Sequence, residues 1–243
     1  MVGAGFSASG PVIPHYGTSD SCVLHNGAFC WHWFTGNWGK LFQPKLIQHI
    51  ELTVIAMAVG FVISFALALL AHRKRWLAPP VTFVTSLLYT VPSLAAFEIL
   101  VPFTGLGALT IEIPLVTYTL LVLFTNTLAG LSGVAAEVRD AATGVGLTAR
   151  QVLTRVELPL AIPTIFAGIR VATVTIISLA TVAAYVGNEG LGQLIFDALH
   201  SGDFNTQFLG AGGLAILLAL FADGLLVLTQ RLLTPWATAR RPV

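Results

Sequence analysis

The chain is 243 residues long, 56% hydrophobic and only 9% charged, with a mean hydropathy of +0.84. That balance excludes a water-soluble domain and implies an all-α integral membrane protein. A formal net charge of +1 leaves no basic face to neutralise phosphates, which excludes nucleic acid as a partner.

Residues 1–43 are rich in glycine, serine and aromatics and read as an extracytoplasmic segment. They lack the basic start, apolar core and small-residue cleavage site of a cleavable signal peptide. Trp31, Trp33 and Trp38, just ahead of the first apolar block, read as an interfacial belt in preference to a ligand-stacking patch. The chain's two cysteines, Cys22 and Cys30, also fall here. An oxidising compartment would let them close a small loop, and the cytoplasm would keep them as thiols; the residues alone leave both open.

Five apolar stretches follow, at about residues 50–71, 80–101, 113–131, 163–186 and 208–232. Each has roughly the length that crosses a hydrocarbon core as a helix. The second contains Tyr89-Thr90-Val91-Pro92-Ser93, and its internal proline is expected to kink or unwind the helix. Freed backbone at that depth is tolerated only against protein or a watery cavity, so this span is expected to line a path. Between the last two stretches, Leu191, Leu194, Ile195 and Leu199 recur at helical spacing and predict a short amphipathic helix lying at the surface. Gly210, Gly212 and Gly213 then open the fifth stretch and read as a close helix contact.

The distribution of lysine and arginine orients the chain. Arg73, Lys74 and Arg75 follow the first stretch, Arg139, Arg150 and Arg155 lie between the third and fourth, and Arg231, Arg240 and Arg241 end the chain. The other connections carry Glu112, Glu189, Asp197 and Asp203 instead. By the positive-inside rule the N-terminus lies outside and the C-terminus, with residues 236–243 as a tail, in the cytoplasm. Lys40 and Lys45 sit on the outer side and are outweighed by the cluster after the first stretch.

Some charges fall within the apolar stretches. Arg170 and Asp223 each lie about 10–12 Å from the cytoplasmic end of their helix at 1.5 Å per residue, and are expected to form a structural ion pair, with a role in transport as the other account. Glu98 sits within two turns of Pro92, where it would either attract a cationic headgroup or reach the outer interface. Tyr89, Tyr118 and Tyr185 have π faces suited to a quaternary ammonium, although aromatics in apolar helices more often serve packing.

The long polar connection, residues 133–160, carries charges of both signs and must sit in water. Small and charged residues from Ala135 to Thr143 favour a helix that Gly144 or Gly146 ends in a left-handed turn. Thr148 and Gln151 make a capping box for a second short helix, which Leu158-Pro159 is expected to stop. The product is a rigid helical elbow suited to docking in a groove on a partner.

In this elbow Asp140, Ala141, Ala142, Gly146, Val156, Leu158 and Pro159 fall in register on an acidic-Ala-Ala, three residues, Gly, nine residues, aliphatic, any residue, Leu-Pro pattern. That pattern resembles the signature loop of the membrane subunits of bacterial ABC importers, with Asp140 in place of the usual glutamate and Val156 in place of isoleucine. Further runs, Gln48-His49-Ile50-Glu51-Leu52-Thr53, Tyr89-Thr90-Val91-Pro92-Ser93-Leu94 and Gly190-Leu191-Gly192-Gln193-Leu194-Ile195, resemble the osmoprotectant branch of these permeases. The likeness spans about residues 44–235.

The resemblance implies a MetI-like permease core of five transmembrane helices in a bacterial plasma membrane. It implies a path for glycine betaine, carnitine, choline or proline, and the broken second span, its carboxylate and the aromatics make Tyr89, Thr90, Pro92, Ser93, Glu98 and Tyr185 the candidate residues of that path. It also implies ATPase subunits that carry ATP and Mg and seat the elbow, a second permease subunit, and an extracytoplasmic solute-binding protein. A permease of the same superfamily for an amino acid, and a membrane scaffold or channel without an ATPase, are the competing readings. The chain itself contains no phosphate-binding loop, no zinc-binding His pair at helical spacing and no nucleophile elbow, so no catalytic residue, cofactor or metal site is expected. His49 and His72 read as interfacial.

Overall fold

The computed structural model describes residues 21–201 and 204–238. Asp203, Arg240 and Arg241, used above to orient the chain, lie outside these residues, as do residues 1–20. Among the described residues the regular structure is entirely helical.

The helices are α1 (Ser21–Leu24), α2 (Trp31–Gly36), α3 (Gln43–Arg73), α4 (Ala78–Thr90), α5 (Ser93–Thr104), α6 (Ala108–Ser132), α7 (Ala136–Gly144), α8 (Ala149–Val152), α9 (Leu158–Gly187), α10 (Gly190–His200), α11 (Asn205–Leu233) and α12 (Pro235–Thr238). Among the described residues, Trp38–Arg73, Ala108–Ser132, Ala149–Gly187 and Asn205–Leu233 are each long and apolar enough to cross a membrane. A fifth crossing results if α4 and α5 count as one span bent by 92°.

At the centre α6 packs between α3 and α9, and α11 lies against α9 and α10. Helices in lipid gain little from burying apolar surface, because lipid is as apolar as leucine, so close approach must come from small residues. Gly60 of α3 shows this: a Cβ there would sit 1.8 Å from the Thr119 hydroxyl of α6. One turn on, Ser64 donates to the Leu120 carbonyl at 3.3 Å. The core above this crossing joins Leu52, Phe97, Ile111, Leu115, Ile176 and Ala180, so α5 inserts Phe97 among α3, α6 and α9.

Residues 21–42, ahead of α3, form a folded cap. Cys22 and Cys30 are joined by a disulfide. The cap is stapled to the start of α11: the Asn205 amide donates to Asn26 Oδ1 at 3.0 Å, and the Cys30 amide to Thr206 Oγ1 at 2.7 Å.

Here the tryptophan belt needs correction. Trp31 is exposed, but Trp33 is buried, edge-on to Phe42 and Phe204, and forms the centre of the cap. An indole among aromatic rings gains packing that an interface cannot supply.

His49 is also not interfacial. It is fully buried between α3, α9 and α10. Its Nδ1 accepts from the Leu191 amide at 3.3 Å, and since an amide nitrogen only donates, the ring proton sits on Nε2, which donates to the Ile177 carbonyl at 3.1 Å.

Two further readings change. Helix α10 does not lie free on a surface, because Leu191 and Leu194 are buried against protein while Leu199 is half exposed. Of the glycines opening α11, only Gly210 makes the expected close contact, against Phe34 and Phe42; Gly212 and Gly213 face open space.

Candidate functional site

The elbow is built by local rules. Helix α7 ends in a Schellman turn: the Leu147 amide donates to the Ala142 carbonyl at 3.2 Å and the Gly146 amide to the Thr143 carbonyl at 2.9 Å. Gly146 carries the left-handed backbone this turn needs, at φ +90°, and Gly144 stays helical. Thr148 then starts α8 with a capping box, accepting from the Gln151 amide while Gln151 Oε1 accepts from the Thr148 amide at 2.8 Å. The tip between the helices is bare, with Val145 80% exposed beside Gly146. Asp140 and Ala141 are exposed on α7, and Ala142 is turned inward.

Leu158-Pro159 does not stop the second helix. The backbone continues without interruption from Ala149 to Gly187, and Pro159 occupies the first turn of α9. The reason is a wide, π-type turn at Leu153–Glu157, whose looser hydrogen-bond spacing accommodates a residue with no amide proton and a ring that would crowd a regular turn. The elbow is therefore continuous with the α9 span.

Glu157, one of the charges by which the sequence places this connection in water, is buried at this wide turn. His72 Nε2, in the last turn of α3, lies 3.1 Å from its Oε2, and Arg139 Nη1 of α7 lies 3.7 Å from its Oε1. Arg73 and Arg150 also line the open cleft of about 650 Å³ around these groups. His72 is thus held by a carboxylate and is not a free interfacial ring. The partners are 85 residues apart in sequence, which hides them from pattern reading.

The second region is the break between α4 and α5. Val91 and Pro92 are extended, at ψ 130° and 133°. The carbonyl of Val91 accepts from the Tyr118 hydroxyl of α6. Backbone that would be orphaned in an apolar setting is thereby satisfied by protein. Tyr89 meets Tyr118 edge-on, with ring centres 5.7 Å apart, and Thr90 donates to the Leu87 carbonyl at 2.7 Å. Tyr89, Thr90, Pro92 and Ser93 thus gather at one break, and Glu98 is exposed farther along α5. Tyr185 does not join them; it lies near the end of α9, edge-on to Phe196 of α10 at 5.6 Å.

One acidic side chain was passed over as an ordinary loop residue. Glu112 lines an apolar groove of about 670 Å³ between α3 and α6, together with Glu51 and Glu189, and both its carboxylate oxygens are buried without a hydrogen-bond partner. No group of His, Cys, Asp or Glu suited to hold a metal ion occurs among the described residues.

Comparison with known proteins places this architecture. The family model described as the binding-protein-dependent transport system inner membrane component matches residues 60–235. The chain belongs to that family. It is accordingly a multi-pass inner-membrane component of an ABC-type transport system. It is 37% identical over 210 residues to the osmoprotectant import permease protein OsmW of Salmonella typhimurium, covering 84% of this chain and 96% of the relative. It is 32% identical over 200 residues to the glycine betaine/carnitine/choline transport system permease protein OpuCB of Bacillus subtilis, covering 82% and 91%. Among solved structures, an inward-facing MetNI methionine ABC transporter chain superposes with a TM-score of 0.73 at 19% identity, covering 80% of this chain and 96% of that one. At that identity the match speaks for a MetI-like fold.

Proposed function

We propose that this chain is the translocating subunit of an ATP-driven importer of osmoprotectants, quaternary amines or proline-type compatible solutes. The observation that carries the solute class is the 37% identity to an osmoprotectant permease across nearly that relative's whole length. The elbow supports the coupling role: a capped, turn-fixed knuckle with a bare tip, continuous with α9, suits insertion into a cleft of a separate ATPase chain that holds ATP and Mg. Asp140, Ala141, Ala142, Gly146, Val156, Leu158 and Pro159 would form that contact or hold its shape.

In this reading residues 44–235 form a five-span permease domain, with α4 and α5 as one broken span. The N-terminal cap lies outside and the elbow in the cytoplasm. Arginines and lysine after α3 and on the elbow support this orientation, and so does the disulfide, which persists in an oxidising compartment. A second permease subunit completes the path, and an extracytoplasmic binding protein delivers solute. Tyr89, Thr90, Pro92, Ser93 and Glu98 would line the path at the break; Tyr185 would contribute from the far end of α9. ATP drives transport only if the two access states bind ATP with different affinity, and the elbow is where that difference enters the permease.

The test is reconstitution with the ATPase and binding protein in liposomes, measuring hydrolysis stimulated by betaine, carnitine, choline, proline and methionine in turn. Stimulation by one or more of the first four is expected. A response to methionine alone would replace the solute class with an amino acid, and failure of any ATPase to co-purify would end the importer reading.

A further inference from the structure

The buried carboxylate of Glu157 stands where three separate parts of the chain converge: the inner end of α3 through His72, helix α7 through Arg139, and the wide turn that becomes α9. Helix α7 otherwise packs mainly on α8 and on this turn. Force arriving at the elbow tip passes to α9 along the backbone, but its route from α7 to α3 runs through side chains. Phe65 and Leu69 of α3 pack against the cluster of Leu131, Leu153, Ala161 and Ile165, and such apolar contacts slide easily because dispersion is non-directional. The hydrogen bond from His72 and the ion pair with Arg139 resist sliding, since the first weakens steeply with angle and breaking either leaves the buried carboxylate with one partner fewer.

We propose that Glu157 is a positioning residue, a clasp that makes the elbow and the inner end of α3 move as one body during the transport cycle. The proposal rests on the importer reading and adds to it a path by which an ATPase stroke reaches the first span as well as the fourth. Arg73 and Arg150 share the cleft but have no carboxylate within ion-pair distance among the described residues, so they are no part of the clasp.

Two measurements on the reconstituted importer test it. Spin labels at Lys74→Cys and Val138→Cys, both exposed positions flanking the clasp, report the distance between the end of α3 and α7. With Glu157 intact this distance is expected to stay fixed between the nucleotide-free and ATP-bound states; in the E157Q background, which keeps the side-chain volume and removes the charge, it is expected to broaden and shift. Uptake per ATP hydrolysed is expected to fall about tenfold in E157Q, within the range over which allosteric couplings act. A distance that changes on ATP binding with Glu157 intact overturns the proposal, and so does E157Q uptake per ATP equal to that of the unaltered protein. If E157Q does not assemble, His72→Gln and Arg139→Gln, which leave the buried carboxylate in place, serve instead with the same two readouts. An unaltered complex that shows no ATP-dependent uptake would instead remove the importer reading, a result separable from a functioning transporter that ignores Glu157.

Discussion

Arg170 of α9 and Asp223 of α11 meet as a fork on a fork: Nε donates to Oδ1 at 2.7 Å and Nη2 to Oδ2 at 3.0 Å. Each side chain is about one-third exposed on the protein surface, so in water the pair would add no more than about 1 kcal/mol. Facing lipid the comparison changes, because a lone charge at that depth costs roughly 2.5–3.5 kcal/mol. Arg170→Asp or Asp223→Arg alone is therefore expected to lower the yield of assembled complex, and the double reversal to restore it. Co-purification of permease with ATPase from membranes measures this; a double variant no better than the singles would dismiss the pair as a structural element.

Gly146 holds a left-handed backbone that a β-branched residue resists, at a cost of about 1–2 kcal/mol. Nothing lies within 4 Å of where its Cβ would project, so space is not the obstacle. Gly146→Val is expected to leave membrane insertion intact and to re-aim the exposed tip at Val145, lowering solute-stimulated hydrolysis several-fold. Transport by this variant at the level of the unaltered protein would mean that the tip's direction is not what the ATPase reads.

The contrast between these two regions shows what a single sequence discloses. The elbow's turn and cap were legible because their causes are local: Gly146 and the Thr148–Gln151 box act on backbone within four residues. The apolar stretches were legible because membrane thickness fixes their length. Trp33, His49 and Glu157 were not, because each finds its partner through tertiary contact, His49 with a carbonyl 128 positions away. Pro159 misled for a subtler reason. A proline ends a regular helix, and only a wider turn upstream allows the chain to pass through it unbroken.

The break between α4 and α5 gives another test. The Tyr118 hydroxyl is the group that satisfies the Val91 carbonyl, and Tyr118 itself is nearly buried. Tyr118→Phe removes the donor and preserves the ring that Tyr89 packs against. The bond is part-buried, so leaving its carbonyl without a partner costs at most about 1–3 kcal/mol. A melting temperature in detergent lowered by several degrees is expected, at roughly 2–4 °C per kcal/mol for a chain of this size. An unchanged melting temperature would indicate that water reaches the break and takes over the carbonyl, which would itself favour a hydrated path there.

The cap poses the last question, which is whether its covalent bond or its aromatic packing holds it on α11. The disulfide closes a loop between residues eight positions apart, and such a closure restricts the unfolded loop by about 2.5 kcal/mol in the chain-entropy model. Against this stand the buried Trp33, edge-on to Phe204 at 4.7 Å, and the hydrogen bonds of Asn26 and Cys30 to Asn205 and Thr206. A Cys22→Ser, Cys30→Ser variant is expected to keep the packed geometry and to open it more often. Amide hydrogen exchange across Trp31–Gly36 should then quicken by up to about 60-fold, since each 1.4 kcal/mol is a factor of ten, while exchange in the buried length of α6 stays as it was. Exchange in Trp31–Gly36 that does not change would show that the ring cluster alone anchors the cap, and that the cysteines act only during its folding.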